Sequence, residues 1–288
     1  MSQQQMYVSA LQMNSKASVT ENLALVAAGL AELPPERPRI VVLPEAFSCF
    51  GAGDLAQLQQ AEPAGLAAPV QQQLSQLART HEIYLVAGTQ PLQVPEQPDK
   101  FSASCMVYDP SGEQIARYDK MHLFDVEVAD STRTYHESKY TQAGQQVVSF
   151  ATEFGRVGLA VCYDVRFPEL FRALREQGCE LLLLPAAFTQ VTGAAHWHTL
   201  LRARAIEQQC WLVAAAQVGV HANGRETYGH SLIVDAWGTV VAERAQGTGW
   251  VHGCVDRDQI ATIRRNIPVA QHNQFQVLAK SPSTSSSS

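Results

Sequence analysis

The chain has 288 residues, enough for one large domain or two ordinary ones with a substantial core. Hydrophobic residues make up 46% and charged residues 17%, the composition of a globular protein with a full interior. With 21 basic against 27 acidic side chains the net charge is −6, and no basic block interrupts the chain, which argues against electrostatic binding to nucleic acid or an anionic membrane.

In chain order, residues 6–13 alternate apolar and polar side chains as a strand does. Ser18 or Thr20 then caps a helix whose apolar face carries Leu23, Val26, Ala27 and Leu30, and Pro34-Pro35 ends it. Residues 40–43 form an apolar strand closed by Pro44-Glu45. A helix over 67–79 leads into a buried strand over 83–89. Runs 102–108 and 114–118, joined by Asp109-Pro110-Ser111-Gly112, read as a hairpin. Residues 156–161 make a further strand, and Pro168 opens a helix carrying Leu170, Phe171 and Leu174. Next come an apolar strand at 181–184, a helix over 194–208 and a strand over 211–217. A second hairpin pairs 230–235 with 239–243, and 256–265 reads as a short amphipathic helix.

Hairpins interrupt the βα alternation, which favours mixed or stacked sheets with helices outside over a pure parallel barrel. With no internal repeat and no linker, a single domain is expected over 1–278. A Ser-rich, disordered tail is expected over 279–288. The longest apolar runs, 181–188 and 211–216, are too short to span a bilayer. The first five residues have neither a basic nor an apolar leader region, so a cytoplasmic location is expected. The six cysteines, at 49, 105, 162, 179, 210 and 254, form no Cys-x-x-Cys pair and are expected as free thiols.

Chemistry concentrates around Cys162. A strand, a sharp turn and a helix in succession put this thiol where elbows present nucleophiles in hydrolases. Proximity to a positive helix end favours thiolate over thiol. A buried core cysteine is the competing reading. Glu45, in Leu-Pro-Glu-Ala-Phe, sits at the C-terminal end of a strand, where α/β sheets keep their sites, although a solvated loop glutamate would look the same. Lys120, in Tyr-Asp-Lys-Met-His-Leu-Phe-Asp, follows a strand and would by itself be an ordinary surface charge. Glu137 lies in a loop the sequence leaves uninterpreted.

Together, Leu43-Pro-Glu-Ala-Phe47, Tyr118-Asp-Lys-Met-His-Leu-Phe-Asp125 and Val161-Cys-Tyr-Asp-Val-Arg-Phe-Pro-Glu169 resemble the three signatures of the nitrilase, or carbon–nitrogen hydrolase, superfamily. They occur in the family's order, and the similarity runs from about residue 6 to about 275. The resemblance implies an α/β fold, a four-layer α-β-β-α sandwich that usually dimerises, with a Glu45-Lys120-Cys162 triad and Glu137 as a second glutamate. It implies a small-molecule amide substrate, a thioester intermediate, and no metal or organic cofactor. In that chemistry Glu45 takes the thiol proton, and Lys120 with the backbone N–H of Tyr163 receives the oxyanion. Glu137 holds Lys120 and Glu45 in register.

A Cys-His dyad is the rival constellation, since nine histidines are present. His196 and His198, at i and i+2 on a helix, point to different faces and cannot share a metal. His122 is placed near Lys120 as a supporting residue. No zinc-spaced cluster, Gly-x-Gly-x-x-Gly or P-loop occurs.

Further similarity, in residues 185–197 and 200–207, is to the branch holding the ω-amidases and the deaminated-glutathione amidases. Residues 214–217, 228–231, 234–241 and 264–272 lean to the second group, whose members release 2-oxoglutarate and cysteinylglycine. By that resemblance Phe188 and Thr192 line the acyl pocket. Arg166, four residues past the nucleophile, offers a bidentate fork for a 2-oxo carboxylate. A salt bridge with Asp164 or Glu169 is the alternative for Arg166. An ω-amidase acting on 2-oxoglutaramate and a catalytically silent interaction protein remain as the other readings.

Overall fold

Alternation along the first strand sets the layering in this computed structural model, which describes residues 5–130 and 132–276. Along Met6–Gln12, the side chains of Met6, Val8 and Ala10 enter one core, together with Leu159, Leu181, Leu183 and Val213. Leu11 points the other way, into a second core with Leu23, Val26, Leu30 and Leu74. Successive residues of a strand face opposite sides, so the strand separates two apolar interiors.

Two sheets stack across the first core. One has seven strands, with spatial order Gly249–Val255, Met6–Gln12, Arg39–Val42, Tyr84–Val86, Phe101–Tyr108 and Gln90–Gln93. Its seventh strand, Gln114–Asp119, also pairs with Phe101–Tyr108. The other runs Val240–Arg244, Ser231–Val234, Trp211–Ala216, Cys179–Ala186, Gly155–Leu159, Ser149–Thr152. Parallel strands lie at the centre of both sheets and antiparallel strands at their edges. Helices Val19–Ala31 and Pro69–His81 cover the outer face of the first sheet through Leu23, Val26, Leu30, Leu74 and Ala78. Helices Pro168–Glu176 and Gln190–Gln208 cover the second through Leu170, Phe171, Leu174, Trp197 and Leu201. This is the four-layer α-β-β-α sandwich expected from the sequence. No described helix is long and apolar enough to cross a membrane.

Local differences have local causes. Ser18 is the cap of the first helix, its hydroxyl accepting from the Glu21 N–H at 3.3 Å. The helix expected from residue 194 begins at Gln190, because the Thr189 hydroxyl accepts the Thr192 N–H and starts it a turn earlier. Gly193 then lies inside that helix against Tyr228, where a Cβ would come within 2.3 Å of the Tyr228 side chain. Among the described residues the sequence does not show helices Asp54–Gln59 and Val269–His272, strands Gln90–Gln93, Ser149–Thr152 and Gly249–Val255, or the ribbons Asp125–Glu127/Thr134–His136 and Val218–Val220/Glu226–Tyr228. The serine-rich tail 279–288 lies outside the described residues.

Candidate active site

The strand Gly155–Leu159 ends three residues before Cys162, which occupies the left-handed region at φ +48°. Such a conformation is costly for a residue with a Cβ and persists where surrounding structure imposes it. Asp164, fully buried, imposes it here. One of its oxygens accepts the Val161 N–H at 2.8 Å and the Tyr118 hydroxyl at 2.7 Å. The other accepts the His122 N–H at 3.1 Å and lies 2.7 Å from His122 Nδ1. The His122 ring stacks on Phe167 at 3.7 Å. Asp164 thus ties the elbow to the segment that carries Lys120. Sequence reading had considered it only as a partner for Arg166.

Lys120 follows strand Gln114–Asp119, its N–H bound to the Ala103 carbonyl at 3.0 Å and its own carbonyl to the Gly144 N–H at 2.8 Å. At 2% exposure it is no surface charge. Nζ donates to Glu45 Oε1 at 2.8 Å and to both Glu137 oxygens at 2.9 and 2.8 Å. Burial works against the ammonium, yet the two carboxylates hold its pKa well above the usual lysine value. Glu137 opens a short 3₁₀ turn, Glu137–Lys139, and also accepts the Phe124 N–H at 2.6 Å. Burial pushes its pKa up, against the pull of Lys120.

Glu45 stands just beyond strand Arg39–Val42. Gly88, at φ +48°, passes so close that a Cβ there would lie 1.9 Å from the Pro44 carbonyl oxygen. That approach brings Thr89 to accept the Ala46 N–H at 2.7 Å. From the other sheet's end, Gln217 Nε2 donates to the Glu45 carbonyl at 3.0 Å, and Ser15 holds the Gln217 amide at both ends.

Cys162 is buried, and burial together with the Glu45 carboxylate drives its pKa well above the usual thiol value, Lys120 pulling only partly against them. The expected pull of a helix end toward the thiolate is therefore corrected. The next helix starts at Pro168, beyond a 3₁₀ turn over Cys162–Arg166, so its positive end is not at the sulfur. The resting group is a thiol facing a carboxylate.

These side chains line one cleft that opens to solvent. Tyr163, Phe188 and Thr192 line it too. Arg166 does not. Its guanidinium lies 5.3 Å from the Phe188 ring centroid and 5.8 Å from that of Tyr163, with Nη1 3.3 Å from His196 Nδ1. Neither alternative partner takes it: Asp164 is engaged as above, and Arg166 makes no ion pair among the described residues. Arg225, on the turn between Val218–Val220 and Glu226–Tyr228, does line the cleft. Its stretch of sequence carried no signal beyond a charged loop residue.

One metal-like cluster exists among the described residues. His198, His230 and Glu243 bring their ligand atoms within 4.8 Å of one another. His198 Nε2 lies 2.9 Å from Glu243 Oε1, and His230 Nδ1 contacts the same oxygen. His196 faces Arg166 instead, so the two histidines of the helix do diverge.

His221 packs edge-on against Phe50 of the cleft and lies 2.7 Å from Thr227 through Nε2. Burial lowers its pKa to about 4, so it is neutral in the folded protein. An unfolded histidine protonates near pH 6.5, so the unfolded state binds the extra proton first. The His221 contribution is full above that pH. Stability is expected to fall as the pH drops from about 6.5 to about 4, by roughly 3 kcal/mol in all from this group. Urea midpoints measured across that window, for the wild type and for His221→Gln, check it; the variant should show the shallower slope.

The family model for carbon-nitrogen hydrolases matches residues 7–265. A deaminated glutathione amidase of Yersinia enterocolitica is 41% identical over 268 residues, 93% of each chain. That of Homo sapiens is 41% identical over 251 residues, covering 85% of this chain and 76% of the human one. The crystal structure of the Caenorhabditis elegans NitFhit protein superposes with a TM-score of 0.88 at 35% identity, over 99% of this chain and 70% of that one.

Proposed function

From the premise that this chain belongs to the carbon–nitrogen hydrolase family and hydrolyses carbon–nitrogen bonds, we propose that it is an amidase acting on deaminated glutathione, which it converts to 2-oxoglutarate and cysteinylglycine. The substrate rests on relatives so named at about 40% identity over most of the chain. The mechanism rests on one observation: a buried ammonium clamped by two carboxylates, in the same cleft as a buried cysteine in the left-handed region.

Glu45 takes the proton from the Cys162 thiol as sulfur attacks the amide carbonyl, because a thiol with a raised pKa cannot ionise unaided. The carbonyl π pair moves to oxygen, and Lys120 and the Tyr163 backbone N–H stabilise that oxyanion. A single such donor contributes about 3–4 kcal/mol. Collapse breaks the carbon–nitrogen bond; Glu45 returns its proton to the departing amine and leaves a thioester on Cys162. Glu45 then deprotonates a water that attacks the thioester, and the released sulfur takes the proton back. Glu137 fixes Lys120 from the far side. Phe188 and Thr192 form the acyl wall, with the Arg166 guanidinium against the Phe188 and Tyr163 rings.

Residues 1–278 are proposed as a single domain, supported by the core that both sheets share. A homodimer is supported by the exposed apolar side chains Ile206, on helix Gln190–Gln208, and Trp237, on the turn at Gly238 that packs against Ile206. A cytoplasmic location is supported by six free thiols. Sedimentation velocity and cell fractionation test these last two points.

Substrate choice is tested by 2-oxoglutarate release from deaminated glutathione and from 2-oxoglutaramate, side by side. We expect a specificity constant at least about tenfold higher for the peptide substrate, or 1.4 kcal/mol in transition-state binding. The reverse preference would make the protein an ω-amidase, and inactivity on both would refute the acyl-group assignment.

A further inference from the structure

The cleft holds a cation that the reaction does not use. Arg225 lies over two aromatic rings, with Cζ 5.0 Å from the centroids of both Phe50 and Tyr135. Nη2 donates to the Ala187 carbonyl at 3.1 Å. Nε is buried and has no hydrogen-bond partner among the described residues. Arg225 also makes no ion pair among them. An orphaned guanidinium N–H, out of reach of bulk water, is costly unless something arrives to accept from it. Packing against two aromatic rings and the Ala187 carbonyl holds the guanidinium in place and leaves Nε without an acceptor, a donor that a carboxylate can take.

The surrounding charges favour an anion at that position. The other lysine or arginine lining the cleft is Lys120, already held by Glu45 and Glu137. Two carboxylates and one ammonium leave that group with a negative sum. An anionic substrate therefore needs a separate cation to enter. Arg225 supplies it.

Its place identifies which end of the substrate it meets. Thr89, Ala103 and Thr141 are buried beside the reacting groups, whereas Gln57 and Arg225 are half-buried and His136 is exposed. Residues 222–224 of the Arg225 turn are exposed. The rim is where a departing amine has to exit. The turn is held rigid by the His221 N–H to the Arg225 carbonyl at 2.9 Å and by the Gly224 N–H to the His221 carbonyl at 2.8 Å.

We propose that Arg225 binds the terminal carboxylate of the leaving group, so that the cleft selects amides whose amine half is a short acidic-ended peptide. The inference rests on the amidase reading above. It adds the residue that separates a peptide leaving group from ammonia.

The test measures kcat/KM for the wild type, Arg225→Gln and Arg225→Lys on three substrates. These are deaminated glutathione, its C-terminal carboxamide, and 2-oxoglutaramate. In the wild type, changing the terminal carboxylate to carboxamide should cost at least tenfold. In Arg225→Gln that penalty should fall below twofold, and the preference for deaminated glutathione over 2-oxoglutaramate should shrink at least tenfold. Arg225→Lys, which keeps the charge without the fork, should fall between the two. A carboxamide penalty equal in wild type and Arg225→Gln, or an equal loss on all three substrates, overturns the assignment. A wild type active on 2-oxoglutaramate with no carboxylate preference also overturns it, while leaving the amidase chemistry intact. A wild type inactive on every substrate overturns the amidase reading first, and this assignment with it.

Discussion

Replacing Cys162 with alanine is expected to lower 2-oxoglutarate release by about 10⁴-fold or more while leaving the fold in place. Removing one member of a nucleophile–base unit costs nearly as much as removing all of them, since the remaining groups have nothing to act on. The side chain is small, buried and makes no contact on which a strand or helix depends, so the change removes one sulfur from the end of a shared core. The elbow itself is held through Asp164 and the Val161 N–H, neither of which involves the thiol. Activity and thermal denaturation, measured on the same preparation, check both halves of the expectation. Residual turnover above about one per cent would refute the nucleophile assignment.

Lys120→Gln is expected to be damaging in a second way. The ammonium sits between Glu45 and Glu137, and all three groups lie away from bulk water. Without it, two carboxylates share a buried site with no counter-charge. Breaking a buried ion pair by removing one partner costs about 3–5 kcal/mol, because the charge left behind stays desolvated. Loss of the oxyanion cation should lower kcat/KM by about 10²–10³-fold on top of any unfolding. The pH dependence separates the two effects. In the variant Glu137, already raised by burial, loses the ammonium that pulls it down, so the folded state binds more protons than the unfolded one and gains stability as the pH falls. Its urea midpoint should approach the wild-type value between pH 8 and about 5, whereas activity should not recover. In the wild type the raised Lys120 pKa means this group's contribution persists below about pH 10 and is lost only above it. A variant deficit that does not change with pH would show that Lys120 contributes by packing rather than by charge.

Much of this architecture was legible in the chain. Alternation at residues 6–13 and the apolar runs at 40–43, 181–184 and 211–216 each became a strand with a defined inner face. They were readable because a buried central strand needs β-branched or aliphatic side chains at every position or every second one. Glu45, Lys120 and Cys162 are named from motifs and Glu137 from the family resemblance, and the structure brings all four into one cleft. What escaped were features set by distant packing. The helix start at Gln190 depends on the Thr189 hydroxyl, which the apolar spacing that places the start at 194, four residues later, does not weigh. The protonation of Cys162 depends on its burial and on a glutamate 117 positions away, neither of which a strand-turn-helix pattern contains. Arg166 is expected in the cleft from its spacing past the nucleophile; its guanidinium packs against Phe188 and Tyr163, which line the cleft, a contact that spacing alone does not reveal. Arg225 had no pattern at all: its significance comes from Phe50, Tyr135 and Ala187, which belong to three other parts of the chain.

The pairing of the strand Gly249–Val255 with Met6–Gln12 bears on how this protein is made. The first strand in the chain completes its ladder only with one of the last. Gln217, which pins the Glu45 carbonyl, also comes late. A growing polypeptide that has already displayed Cys162 therefore still lacks the partners that aim Glu45 at it. The ribosome-bound chain should carry an inert thiol until the strand Gly249–Val255 has emerged and paired with Met6–Gln12.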